Sequence, residues 1–103
     1  MYPARLRSIS ELERTLMEMG GSLGWEYDRQ FFKAVKKQDN TVLRIIFKQV
    51  EKIFKNPNVG KRLKRNRKGQ LEVRVAESFR LYYSYFEKDN MIVFLEFSHK
   101  DEQ

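Results

Sequence analysis

The stretch LEVRVAESFRLYYSYF, Leu71 to Phe86, admits few folds. Apolar and polar residues alternate with period two on either side of Ala76-Glu77-Ser78, the pattern of two strands joined by a tight turn. A second turn at EKDN leads into MIVFLEF, so three antiparallel strands follow one another in a meander. On the middle strand Phe79, Leu81, Tyr83 and Tyr85 point one way, and Arg80, Tyr82 and Ser84 the other. The first set suits packing under helices. The second would line an uncovered face, from which Arg74 and Arg80 can project without entering the core.

The residues upstream supply the covering layer. Asp28 can cap a helix through RQFFKAVKK, with Phe31, Phe32 and Val35 on one side and Lys33, Lys36 and Lys37 on the other. After Asp39-Asn40, TVLRIIFKQVEKIFK carries Val42, Ile45, Ile46, Val50 and Ile53 as a wide apolar stripe, and Pro57 and Gly60 end it. A short strand, GWEY, precedes both helices. The expected fold is therefore α+β, a helical hairpin packed on one face of a mostly antiparallel four-stranded sheet. Before it, SISELERTLMEMGG places Ile9, Leu12, Leu16 and Met19 at helical spacing, with Ser10 and Glu13 as a capping box and Gly20-Gly21 as the stop. The glycine-rich GGSLG makes residues 1–23 read as a helical extension, dispensable for the core, and 24–103 as the domain proper.

Composition narrows the chemistry. A chain of 103 residues buries roughly 65% of its unfolded surface, enough for one core and no second module. It has no cysteine, which excludes disulfide scaffolds, cysteine-ligated zinc and thiol nucleophiles, and makes a reducing cytoplasm the expected compartment. One histidine argues against a metal site built from protein ligands. No apolar run is long enough to span a membrane, and MYPARLRSIS lacks the apolar centre of a signal peptide.

The net charge of +7 calls for a polyanion: nucleic acid, an anionic membrane or an acidic protein. A basic protein without such a partner is the plainer alternative. Local distribution favours a docking surface, because KRLKRNRK, Lys61 to Lys68, holds six cations and no acid, whereas solvated faces mix signs. Arg74, Arg80 and Tyr82, rimmed by Lys61, Arg62, Lys64, Arg65, Arg67 and Lys68, have the makings of a platform for single-stranded nucleic acid. Cations track phosphates, and an aromatic ring stacks on an unpaired base. Equally, Arg74 can be half of a surface ion pair with Glu72 or Glu96, worth about 0–1 kcal/mol.

GKRLKRNRKGQLEVRVAESFRLYYSYFEKDNMIVFLEFSHKDEQ resembles the C-terminal half of the RelE/ParE toxin superfamily. The resemblance rests on Gly60-Lys61 and Leu63, Gly69 with Arg74-Val75, Phe79-Arg80-Leu81 with Tyr83, and His99-Lys100, and WEYDRQFFKAVKK with the helix pair extends it over residues 24–103. It implies a toxin of a type II toxin–antitoxin system, bound and silenced by a cognate antitoxin in a hetero-oligomer. The RelE branch cleaves mRNA on the ribosome without metal or cofactor, by attack of a ribose 2′-OH on the adjacent phosphate. By motif, Arg80 matches the phosphate-stabilising arginine, Arg74 a basic group on the preceding strand, and Lys100 the basic residue closing the last strand. His99 is then a candidate acid or base, or else an idle terminal side chain. Lys64 is a candidate for backbone contact. Glu72 stands where some RNA-cleaving relatives carry lysine, and no tyrosine follows Lys100 as it does in others. The ParE branch, which poisons DNA gyrase, and an inactive antitoxin-binding protein share the scaffold.

Overall fold

Residues 8–102 are described by the computed structural model, the last of them by its backbone alone, so residues 1–7 of the expected extension and Gln103 lie outside the described residues. Helix α1 (Ile9–Gly20) starts at Ser8, whose hydroxyl accepts from Glu11 N at 3.2 Å. The cap therefore sits two residues before the Ser10 expected from the capping-box pattern. Strand β1 (Gly24–Tyr27) leads into α2 (Arg29–Lys36), capped by Asp28, and α3 (Asn40–Lys55), capped by Asp39. Helix α2 buries Phe31, Phe32 and Val35 as its periodicity predicts. On α3 the buried stripe is rotated: Leu43, Ile46, Phe47, Val50, Ile53 and Phe54 are inside, while Val42 and Ile45 are only partly covered.

The sheet runs β1-β5-β4-β3-β2, with β2 (Lys61–Arg62), β3 (Leu71–Val75), β4 (Phe79–Phe86) and β5 (Met91–His99). Only β1 pairs parallel, against β5. The α+β arrangement is the expected one, enlarged by the two-residue strand β2, which the basic block adds to the edge of β3. Between β2 and β3 the chain makes a 3-10 turn at Arg65–Arg67.

One irregularity decides which side chains face the helices. Tyr82 pairs with Glu96 but Tyr83 pairs with Phe94, so Leu95 is an extra residue in β5, a β-bulge. Strict alternation through MIVFLEF would put Glu96 on the side of Ile92 and Phe94. The bulge resets the phase, so that Ile92, Phe94 and Phe97 are all buried under the helices and Glu96 emerges on the other face.

Helix α1 is part of this core. Leu12 and Leu16 are fully buried in the same cluster as Phe47, Phe54 and Phe94. A Cβ on Gly20 would lie 3.3 Å from Trp25 Cδ1, and the Tyr27 hydroxyl donates to Glu13 Oε2 at 3.0 Å. The helix read from sequence as an extension is thus packed against the domain, and the glycines at its end allow the chain to turn sharply back into β1.

Tyr83 ties the sheet to the loop after α3. Its buried hydroxyl donates to Pro57 O at 2.8 Å and accepts from Gly60 N at 3.0 Å, where no Cβ would fit. Tyr83→Phe leaves that amide without its partner and should cost about 1–3 kcal/mol. The thermal midpoint should fall by several degrees, and an unchanged midpoint would show that the bridge adds nothing.

Candidate nucleic-acid interface

Strand register writes the uncovered face as two rows. Arg74, Arg80 and Ser98 lie directly opposite one another across β3, β4 and β5. Beside them Lys61, Glu72, Tyr82 and Glu96 form a second row, reaching β2. Two arginines face to face repel, and like charges in that position destabilise a sheet. The first row is therefore a place where an anion would relieve unfavourable energy.

The two arginines are held differently. Arg74 is exposed and makes no ion pair or hydrogen bond among the described residues. Arg80 is only 14% exposed along its side chain; Nη1 donates to Glu77 O at 2.8 Å and Phe79 O at 2.9 Å, and Nε lies 3.9 Å from Glu72 Oε1. Its own turn thus orients the guanidinium. That turn carries positive φ at Ala76 (50°) and Glu77 (59°), a conformation more usual for glycine or asparagine. The carboxylates that could have paired with Arg74 are engaged by Arg80 and Arg67 instead.

Tyr82 is on the expected face but is not open. It is 1% exposed, because the 3-10 turn folds over it and sets the Arg67 guanidinium 3.8 Å above its ring centre. Arg67 is pinned there by Gln70 Oε1 at 3.0 Å and Glu96 Oε1 at 2.8 Å, while Ser98 Oγ donates to the other Glu96 oxygen. Burial pushes the Glu96 carboxyl up, but the hydrogen bonds from Arg67 and Ser98 and the Arg67 charge outweigh it, leaving its pKa below the usual range. A carboxyl held low contributes stability above its unfolded pKa and loses it as pH falls through the folded one. The pin on Arg67 therefore holds at neutral pH and releases only in acid. Burial first, and Glu72 second, raise the Tyr82 hydroxyl, so it stays protonated.

The other cations remain available. Lys61, Arg62, Lys64, Arg65 and Lys68 are exposed, with Arg62 reaching Asn58 Oδ1 at 3.4 Å. Arg65 adopts φ 59°, a strained conformation for a side-chain-bearing residue that costs on the order of 1–3 kcal/mol. Between this turn and the sheet lies a cleft of about 320 Å³ lined by Leu63, Lys64, Arg65, Asn66, Arg67, Glu72 and Tyr82.

The closing pair of β5 splits. His99 pairs with Phe79 and meets its ring edge-on at 5.4 Å, which places it in the row of Val75 and Phe79, not that of Arg80. Its Nδ1 accepts from Asp101 N at 3.2 Å and lies 3.6 Å from Asp101 Oδ2. Lys100 is exposed, and its backbone N–H donates to Ser78 O at 2.8 Å, which fastens the end of β5 to the Arg80 turn. Sequence reasoning missed the Arg67–Tyr82–Glu96 stack. Its only trace was Glu96 at a strand position where the alternation predicts an apolar residue.

Among the described residues no group of three or more His, Asp or Glu side chains could hold a metal ion, and no helix is long and apolar enough to cross a membrane.

No protein-family model matches the sequence, and no curated protein matches it significantly. Solved structures do. The E. coli RelBE toxin–antitoxin complex matches with a TM-score of 0.66 at 15% identity, over 76% of this chain and 96% of that one. The RelBE2 complex from Mycobacterium tuberculosis gives 0.65 at 20% identity, over 76% and 91%. The YoeB dimer from Staphylococcus aureus gives 0.60 at 26% identity, over 72% and 92%. The chain has the RelE-like fold, as its motifs implied.

Proposed function

We propose that this protein is the toxin of a type II toxin–antitoxin pair and acts in the cytoplasm as a ribosome-dependent mRNA endonuclease. The observation that carries the reading is the Arg74–Arg80 opposition on a rigid sheet of RelE-like fold, beside a run of exposed cations. Such a row suits a phosphate that gains negative charge as it reacts. In the reaction the ribose 2′-oxygen attacks phosphorus and the P–O5′ bond breaks. The 2′ proton passes to a base, and the leaving 5′-oxygen receives a proton from an acid. The products are a 2′,3′-cyclic phosphate and a 5′-hydroxyl.

Arg80, preoriented by Glu77 O and Phe79 O, would hold the phosphorane, with Arg74 supplying the second positive charge. Lys100 stands at the same end of the sheet. His99 serves as acid or base only if its ring leaves Asp101 and swings around the end of β5. The partner expected to silence the toxin is an antitoxin segment, acidic and amphipathic, laid over the basic face. Glu72 beside Arg80 favours a second reading, in which the protein binds its antitoxin without cutting RNA, or follows the ParE branch to DNA gyrase.

Expression alone should arrest growth, and co-expression of a small acidic protein from the neighbouring reading frame should relieve the arrest. Growth that continues at high expression without the neighbour would remove the toxin reading. Binding to single-stranded RNA should also be electrostatic. Five exposed cations on phosphates give a salt slope of about −3.5, a loss of roughly 100-fold between 50 and 200 mM salt. A titration that is flat across that range would exclude the basic block as the RNA surface.

A further inference from the structure

The buried Tyr82 ring cannot itself receive a base, yet the surface above it has the form of a stacking site moved outward by one layer. The Arg67 guanidinium carbon lies 3.8 Å over the ring centre, and its two terminal nitrogens are tied down separately, Nη1 to Gln70 Oε1 and Nη2 to Glu96 Oε1. Its side chain is still 31% exposed. A guanidinium is flat, weakly hydrated and able to stack on π systems, so one face can rest on tyrosine while the other meets a second ring. Free arginine side chains lose much rotamer freedom when they stack. This one has already lost it, so a ligand meets a preorganised plate.

The surroundings select the ligand. The cleft beside Arg67 holds about 320 Å³, near the lower end of the roughly 300–1,000 Å³ typical of small-molecule sites. Its rim carries the exposed cations Lys64 and Arg65. A flat, uncharged ring joined to a phosphate fits both features, the ring on the plate and the phosphate at the rim. On the proposed RNA-cleaving reading, on which this inference rests, we propose that Arg67 is the stacking plate for one unpaired nucleobase of the bound RNA. Tyr82, Gln70, Glu96 and Ser98 then act as positioning residues that keep the plate flat. Stacking recognises the π face of any base, so the site fixes the register of the strand more than its sequence.

The test uses the full-length protein and a single-stranded RNA decamer carrying 2-aminopurine at each position in turn. With the wild-type protein, the probe at one position should be strongly quenched on binding. An abasic residue there should weaken binding by about 5- to 100-fold, the usual worth of one stacked base. Arg67→Lys keeps the charge but removes the plane. It should abolish the quenching, bind the intact decamer as weakly as the abasic one, and leave binding of the abasic decamer unchanged. Glu96→Gln, which keeps the shape and weakens the pin, should fall between the two, which covers the case in which Arg67→Lys disturbs the turn. Equal quenching in wild type and both variants, or no quenching at any position in a wild-type complex that forms, would overturn the plate while leaving RNA binding intact. No binding of the decamer even at 50 mM salt would overturn the plate and the basic block together as an RNA surface, and the ribosome cleavage assay would then decide the RNA-cleaving reading separately.

Discussion

Arg80→Ala should slow RNA cleavage by about 100- to 1000-fold, the loss that follows removal of one preorganised donor to developing charge, about 3–4 kcal/mol. Arg80 is the best-placed cation for that task. Its strand is central in the sheet, its neighbours across the register are Arg74 and Ser98, and the carbonyls of Glu77 and Phe79 fix its guanidinium. Arg80→Lys should recover only part of the rate, because a point charge cannot hold two phosphate oxygens with a fork. The same substitutions remove the hydrogen bonds to the turn, so a thermal melt and an antitoxin pull-down must accompany the kinetics. A folded, antitoxin-binding Arg80→Ala protein that cleaves at the wild-type rate would take Arg80 out of the chemistry.

Deleting residues 1–22 should abolish the cooperative unfolding transition. The glycines after α1 suggest a removable extension, but Leu12 and Leu16 are fully buried between α3 and the sheet residues. Burying a leucine and then truncating it to alanine costs about 2–5 kcal/mol, and a domain of this size has only about 5–15 kcal/mol in total. Losing both, together with the cover over Trp25, exceeds what the remaining core can tolerate. Leu16→Ala alone should lower the midpoint by ten degrees or more. A truncated protein that melts within a few degrees of the intact one would show that residues 24–103 form a self-sufficient domain after all.

What was legible in the sequence is what depends on local period. The alternation of LEVRV and FRLYY fixed the hairpin and put Arg74 and Arg80 on one face, and the aspartates marked the helix starts. The burial of α1 was hidden because Leu12 and Leu16 disclose an apolar stripe but not what it packs against. The facing of His99 was hidden for a different reason. One extra residue, Leu95, shifts the phase of β5, and the change in facing reaches every side chain after it. Tyr82 looked like an open aromatic because its cover, Arg67, comes from a turn 15 residues away whose path over the sheet depends on Glu96, on a third segment. Composition alone could not reveal that two of the face's cations are already paired with carboxylates.

The central claim is that the Arg74–Arg80 row stabilises a phosphate during cleavage of ribosome-bound mRNA. The most direct measurement is to incubate the purified protein with mRNA-programmed ribosomes, map the cut sites, and analyse both new ends, with a gyrase supercoiling assay on the same preparation. The account predicts discrete cuts in the decoding site, 2′,3′-cyclic phosphate and 5′-hydroxyl ends, unimpaired supercoiling, and loss of the cuts in Arg80→Ala. Intact mRNA together with inhibited gyrase, or intact mRNA from a protein that binds its antitoxin tightly, would contradict it.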